Sequence, residues 1–213
     1  AGIANPDQFL RGWRDWRRGL KDLPPTTYLE KTIGTDNTLP VAFLEKGAEA
    51  AKAVCKVEAG GFDYMGRPGE WSGTGFLVAP NILLTNHHVL NSPEVARGGR
   101  AIFGYQRNAK GEWGEQRTFT LDPDRLFLTS PAEGGLDYTF VHVNGTPHEV
   151  FGTIPMKRAA FTISPAERAN IIHHPEGTPK RVSLQDNNVV ELGDVMLHYA
   201  SDTKYGSSGS PVM

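Results

Sequence analysis

The absences in this chain narrow the choices first. Its 213 residues include a single cysteine, Cys55, so no internal disulfide can form. That sets the chain apart from disulfide-rich secreted proteins and is compatible with a reducing cytoplasm, where we expect it to reside. Cys55 lies in the apolar-rich stretch Ala53-Val54-Cys55-Lys56-Val57 and reads as a buried small hydrophobe rather than a nucleophile. No apolar run is long enough to span a bilayer. A net charge of −2 gives no reason to expect nucleic acid or an anionic membrane as the main partner. Metal-ligand spacing is missing as well. There are seven histidines, with adjacent pairs at His87-His88 and His173-His174, but neither His-Glu-x-x-His nor Cys-x-x-Cys occurs. Adjacent histidines on a strand would also point apart. We therefore expect no metal and no cofactor. No signal peptide is visible and the first residue is not methionine, so the chain reads as processed, trimmed or excerpted.

Glycine and proline, by contrast, are plentiful at 24 and 15 residues, as many short strands joined by many turns require. Three segments follow from the pattern. Residues 1–50 read as a helical extension. Asn5-Pro6-Asp7 is a start signal, and Phe9, Trp13, Trp16 and Leu20 fall on one stripe flanked by Arg11, Arg14, Arg17, Arg18 and Lys21. Such a helix either binds a membrane or an acidic partner, or docks its tryptophans on the rest of the protein or a neighbouring domain. The second is our expectation, since amphipathicity is ordinary in packed helices. Pro24-Pro25 breaks it, and further helices are expected over 28–33 and 39–52. Residues 51–147 read as a first antiparallel β-barrel with strands near 52–58, 74–78, 82–85, 101–106, 116–121 and 138–143. Residues 148–213 read as part of a second, with strands near 169–173, 180–184, 188–192 and 195–200.

Three ordered segments carry the chemistry. Gly73-Thr74-Gly75-Phe76-Leu77-Val78 and Ile82-Leu83-Leu84-Thr85 form a hairpin across Pro80-Asn81, running into Asn86-His87-His88-Val89-Leu90. Gly134-Gly135-Leu136-Asp137 opens the strand Tyr138–Val143. Lys204-Tyr205-Gly206-Ser207-Ser208-Gly209-Ser210-Pro211-Val212 lies near the end. Taken singly, Asp137 is a turn residue, a Gly/Ser run before proline is a loop, and His88 could be a core histidine. In the order His, Asp, Ser they point to nucleophilic catalysis.

Together these motifs resemble the chymotrypsin-fold, trypsin-like serine proteases, nearest the bacterial Deg/HtrA and glutamyl endopeptidase types. The likeness covers roughly residues 52–213, and Ile171-Ile172-His173-His174-Pro175-Glu176-Gly177 resembles a further segment of those enzymes. It implies a mostly β, double-barrel fold with the site in the cleft between barrels. It implies a serine endopeptidase that takes a protein or peptide substrate. Ser208 would be the nucleophile, His88 the base and Asp137 the residue that orients the base. The Gly206 and Ser208 amides would form the oxyanion hole. The motif selects His88 over His87, and strand alternation would send His87 to the opposite face.

The chain also departs from the family. Some three strands of the second barrel should follow the nucleophile, yet the sequence ends five residues after Ser208. We therefore expect a fragment of a longer product, with neighbouring domains or C-terminal strands as partners. Ser207 stands where trypsin-type zymogens carry an aspartate, so that activation switch is absent. Asp202, six residues before Ser208, matches the position that reads Lys or Arg in trypsin-like pockets. Thr203 matches a threonine that glutamyl endopeptidases set against an acidic side chain, and Lys204 could neutralise Asp202. Asp202 could equally be a surface turn residue. The alternative to catalysis is a protease-like fold used as a binding or scaffold module, or an inactive fragment of a larger multidomain protein.

Overall fold

In a computed structural model of the chain, residues 39–156, 168–184, 187–193, 197–201 and 203–213 are described. The helices expected within 5–21 and 28–33 lie outside them. The third begins slightly later than expected, as α1 (Ala42–Ala53), built from Ala, Leu, Glu and Lys. It ends where the β-branched Val54 opens the first strand, and the Lys180 ammonium donates to the Ala51 carbonyl, a helix-end acceptor, at 2.5 Å.

Six strands follow the periodicity of the sequence: β1 (Val54–Phe62), β2 (Pro68–Ala79), β3 (Ile82–Thr85), β4 (Arg100–Phe103), β5 (Arg117–Ser130) and β6 (Tyr138–Val143). They close into an antiparallel barrel in the order β1-β2-β3-β6-β5-β4, which leaves the barrel no raw edge. Along β1, Cys55, Val57 and Ala59 face inward and Lys56 and Glu58 outward. Leu83, Phe103 and Val141 fill the centre with no exposed surface. Cys55 is likewise fully buried, and burial pushes its thiol up to about 12, which keeps it protonated and inert at neutral pH.

The expected strand limits differ from those observed where turns compete. The strand expected over 101–106 stops at Phe103, because Gly104 turns away with φ +69°, and a side chain there would collide with the Glu115 carbonyl. The strand expected to end at 121 runs on to Ser130 across a register shift between Asp122 and Phe127. Two short helices were unforeseen, α2 (Pro93–Gly98) and α3 (Pro147–Phe151). For α2 the signal was present: Pro at the first helical position, after Ser92, whose hydroxyl accepts the Val95 amide at 3.2 Å.

Beyond the barrel come β7 (Ile171–His173), a single 3₁₀ turn (Pro175–Gly177), β8 (Arg181–Ser183), β9 (Val189–Leu192) and β10 (Leu197–Tyr199). β7 pairs with β8 and β9 with β10, both antiparallel, and Val212 bridges to Ile171.

One buried residue of this region makes stability depend on pH. His174 is fully buried, with Nδ1 3.1 Å from the Thr178 carbonyl and no partner for Nε2 among the described residues. Burial pushes its pKa down from 6.5 to about 3. The unfolded chain therefore binds a proton that the folded chain refuses. The stabilisation is full above about pH 6.5 and is lost as pH falls toward 3, at about 1.4 kcal/mol per pH unit. Urea unfolding at pH 7, 6, 5 and 4 should show this slope in the native sequence and a flatter one in His174→Phe. Equal slopes would refute the assignment.

Candidate active site

Three segments that are distant in sequence converge on one cleft. His88 sits just after β3, where the Val89 and Leu90 amides both bond the Asn86 carbonyl at 3.2 Å and wind residues 86–90 into a helical turn. This corrects the strand reading of the two histidines. On a helical turn neighbouring side chains diverge by about 100° rather than alternating across a sheet, which still separates them. His87 Nδ1 meets the Thr129 hydroxyl at 2.7 Å, while His88 turns to Asp137. The apolar Val89 and Leu90 anchor the turn in the barrel core, and the Trp71 indole N–H bonds the Val89 carbonyl at 2.9 Å.

Asp137 Oδ2 lies 2.8 Å from His88 Nδ1, and its Oδ1 accepts the His88 amide at 3.1 Å. Both carboxylate oxygens are thus spent on one residue, fixing its backbone and its ring together. Asp137 has φ +51°, a left-handed conformation that aspartate tolerates better than most residues. Its carbonyl accepts the Asn86 side-chain amide at 2.6 Å, closing a second tie between the two segments. The side chains of His88 and Asp137 retain 34% and 24% exposure, and His88 lines the cleft. With Nδ1 occupied, Nε2 is the ring nitrogen left for a reacting group.

Ser208 lines the same cleft, a space of about 340 Å³ also walled by Tyr64, Trp71, Tyr205, Gly206 and His88. Ser208 and His88 make no direct hydrogen bond to one another, and such contacts often tighten only when substrate is bound. Gly206 and Gly209 bracket the serine with φ +88° and +87°. A side chain at 206 would approach the His174 carbonyl to 2.7 Å, so the turn demands glycine. Neither the Gly206 nor the Ser208 amide donates to another group among the described residues, so both remain available as donors. A second cavity of about 350 Å³ borders Ser208 and is lined by Thr203, Lys204, Tyr199 and Ile171. Thr203 is exposed there, and Asp202 lies outside the described residues. The Lys204 ammonium pairs with Glu176 at 3.5 Å.

One residue organises the serine loop, and reading the sequence missed it. Thr74, fully buried on β2, donates its hydroxyl to the Gly206 carbonyl at 2.9 Å and accepts the His174 amide at 3.0 Å. Its own amide bonds the Ser208 carbonyl at 2.8 Å, and its carbonyl accepts from the Thr85 hydroxyl at 2.7 Å. The Gly73-Thr74-Gly75 stretch carried no signal for this, because Thr74 pairs with Lys56 on the outer face of the barrel wall, where a polar residue reads as solvent-facing. Close packing here is unforgiving, since a Cβ at Gly209 would collide with the Thr74 carbonyl oxygen and the Thr85 hydroxyl. Gly209→Ala is therefore expected to cost about 3 kcal/mol and roughly 6–12 °C of thermal midpoint. A variant that melts with the parent would show that the loop yields instead.

The sequence profile of the trypsin-like peptidase domain family matches residues 73–213. The chain is similar to the uncharacterized protein y4fB of Sinorhizobium fredii, with 36% identity over 196 residues that cover 86% of this chain and 29% of that protein. It thus spans under a third of the length of that relative. Among solved structures it is similar to the Rv3671c protease in its inactive form, at 16% identity and a TM-score of 0.47, covering 85% of this chain and 82% of that one. The active form of the same protease, from M. tuberculosis, gives 17% identity, a TM-score of 0.46, and coverage of 86% and 77%.

Proposed function

The chain belongs to the trypsin-like peptidase domain family, and from that premise we propose that it is a serine endopeptidase acting through His88, Asp137 and Ser208. The observation that carries this reading is that His88, 2.8 Å from Asp137, lines a cleft that also holds Ser208. A neutral serine hydroxyl is a weak nucleophile, so a base must take its proton during attack. His88 Nε2 takes that proton while Ser208 Oγ bonds the scissile carbonyl carbon. The carbonyl π electrons move to oxygen, where the Gly206 and Ser208 N–H groups receive them. As the carbon–nitrogen bond breaks, His88 returns the proton to the leaving amine, and an ester on Ser208 remains. Water, deprotonated by His88, then hydrolyses that ester and restores the hydroxyl. Asp137 accepts a hydrogen bond from Nδ1–H throughout, holding the tautomer that leaves Nε2 basic and stabilising the imidazolium.

A fluorophosphonate probe tests this directly, because it phosphonylates only a serine that is activated. Covalent labelling of the chain at Ser208, with release of a fluorescent peptide from labelled casein, is the expected result. If the folded chain neither labels nor cleaves, the fold serves as a binding or scaffold module and the catalytic reading is wrong.

A further inference from the structure

The residue directly before the proposed nucleophile is almost wholly buried, at the edge of the second cavity that borders Ser208. Ser207 is 6% exposed, and its hydroxyl accepts the Lys204 amide at 3.1 Å. The same oxygen lies 2.8 Å from Nδ1 of His173, which is itself 4% exposed. On the far side of that ring, Nε2 lies 3.3 Å from the Ser183 hydroxyl. The backbone of Ser207 closes the loop from both ends. Its amide donates to the Lys204 carbonyl at 2.9 Å, and its carbonyl accepts from the Ser210 amide at 3.2 Å and the Ser210 hydroxyl at 2.5 Å. The turn that carries the Gly206 amide and the turn that carries Ser208 therefore meet at one residue.

We propose that Ser207 and His173 form a positioning pair that holds the Gly206 and Ser208 amides aimed at the reacting carbonyl oxygen. The inference rests on the serine-endopeptidase reading and adds a part to it. His173 is well placed to serve as the fixed point. It belongs to β7, which is paired to β8 at Ile171–Ser183 and His173–Arg181 and bridged to Val212 on the far side of the serine. Burial, and then the nearby Arg181, keep its imidazole below the usual histidine range, so at neutral pH the ring offers one donor and one acceptor. Two hydroxyls, which can each donate or accept, are the partners such a ring needs. From the barrel side Thr74 grips the carbonyls of Gly206 and Ser208, and from the β7 side His173 grips the residue between them. The loop is thus held from opposite faces, and its amide directions follow from both grips.

Ser207→Ala and His173→Phe remove the contact while keeping a packed side chain at each position, and His173→Asn keeps a nitrogen near that of Nδ1. Turnover of fluorescein-labelled casein is measured per site titrated with fluorophosphonate, alongside circular-dichroism melts. Ser207→Ala and His173→Phe should each lower kcat about ten- to a hundredfold with KM little changed, since oxyanion donors act on the transition state. His173→Asn should recover most of the loss. Ser207→Thr, which retains the hydroxyl, should like His173→Asn stay near the parent, and if Ser207→Ala does not fold, His173→Phe carries the test. A merely structural contact would lower the melting midpoint and leave kcat per titrated site unchanged, and that result overturns the proposal while sparing the catalytic reading. A parent chain that neither labels nor turns over overturns both.

Discussion

Replacing Ser208 with alanine is expected to lower peptide hydrolysis by about a millionfold and to abolish fluorophosphonate labelling. The size follows from the chemistry. Without Oγ no acyl-enzyme can form, and the remaining acceleration comes from binding and from the Gly206 and Ser208 amides, which alanine at 208 leaves in place. His88→Ala should cost nearly as much, because serine and base act as one unit whose losses do not add. His87→Ala is the matched control. Its ring is engaged with Thr129 rather than the cleft, so rate and labelling should stay close to those of the parent. If His87→Ala silenced the protein and His88→Ala did not, the base would have been assigned to the wrong neighbour. Retained labelling in Ser208→Ala would place the reactive serine elsewhere, Ser207 and Ser210 being the adjacent candidates.

Asp137→Asn should lower kcat about ten-thousandfold while the fold is kept. Asparagine matches aspartate in volume and is equally at ease at φ +51°. Its carbonyl can still accept the His88 amide, but its NH₂ then faces Nδ1 and can only donate. The imidazole must carry its proton on Nε2 to satisfy that contact, which removes the lone pair aimed at Ser208. The developing imidazolium also loses its counter-charge. Circular dichroism and melting should match the parent while turnover collapses. A drop of only a fewfold would mean that Asp137 anchors the turn of residues 86–90 without governing the ring.

Much of this was legible in the chain, for physical reasons that differ by element. β3 and β6 could be placed within a residue because each is a short apolar run bounded by a turn signal, Pro80-Asn81 before one and Gly134-Gly135 before the other. β1 and β2 were read too short, since Gly60-Gly61 and Pro68-Gly69 look like turns locally yet face one another at the far end of a long hairpin. Cross-strand bonding overrode the local preference. The contact between His88 and Asp137 was foreseeable from motif order, because the chemistry constrains both residue types. The roles of Thr74, Ser207 and His173 were not. Each depends on hydrogen bonds between segments whose mutual placement only the folded chain defines, and a threonine or serine in sequence carries no mark of its distant partner.

The hydroxyl of Thr74 reaches a carbonyl 132 positions away. The barrel around it is complete once residue 143 has been synthesised, because β6 supplies the last strand of the ring. A chain leaving the ribosome can thus close its barrel, with His88 and Asp137 already paired, while the serine is still unmade. On the serine-endopeptidase reading, the nucleophile joins its base only after Thr74 has closed onto residues 206 and 208, so a growing chain pairs His88 with Asp137 well before it holds anything that could cut a neighbouring nascent protein.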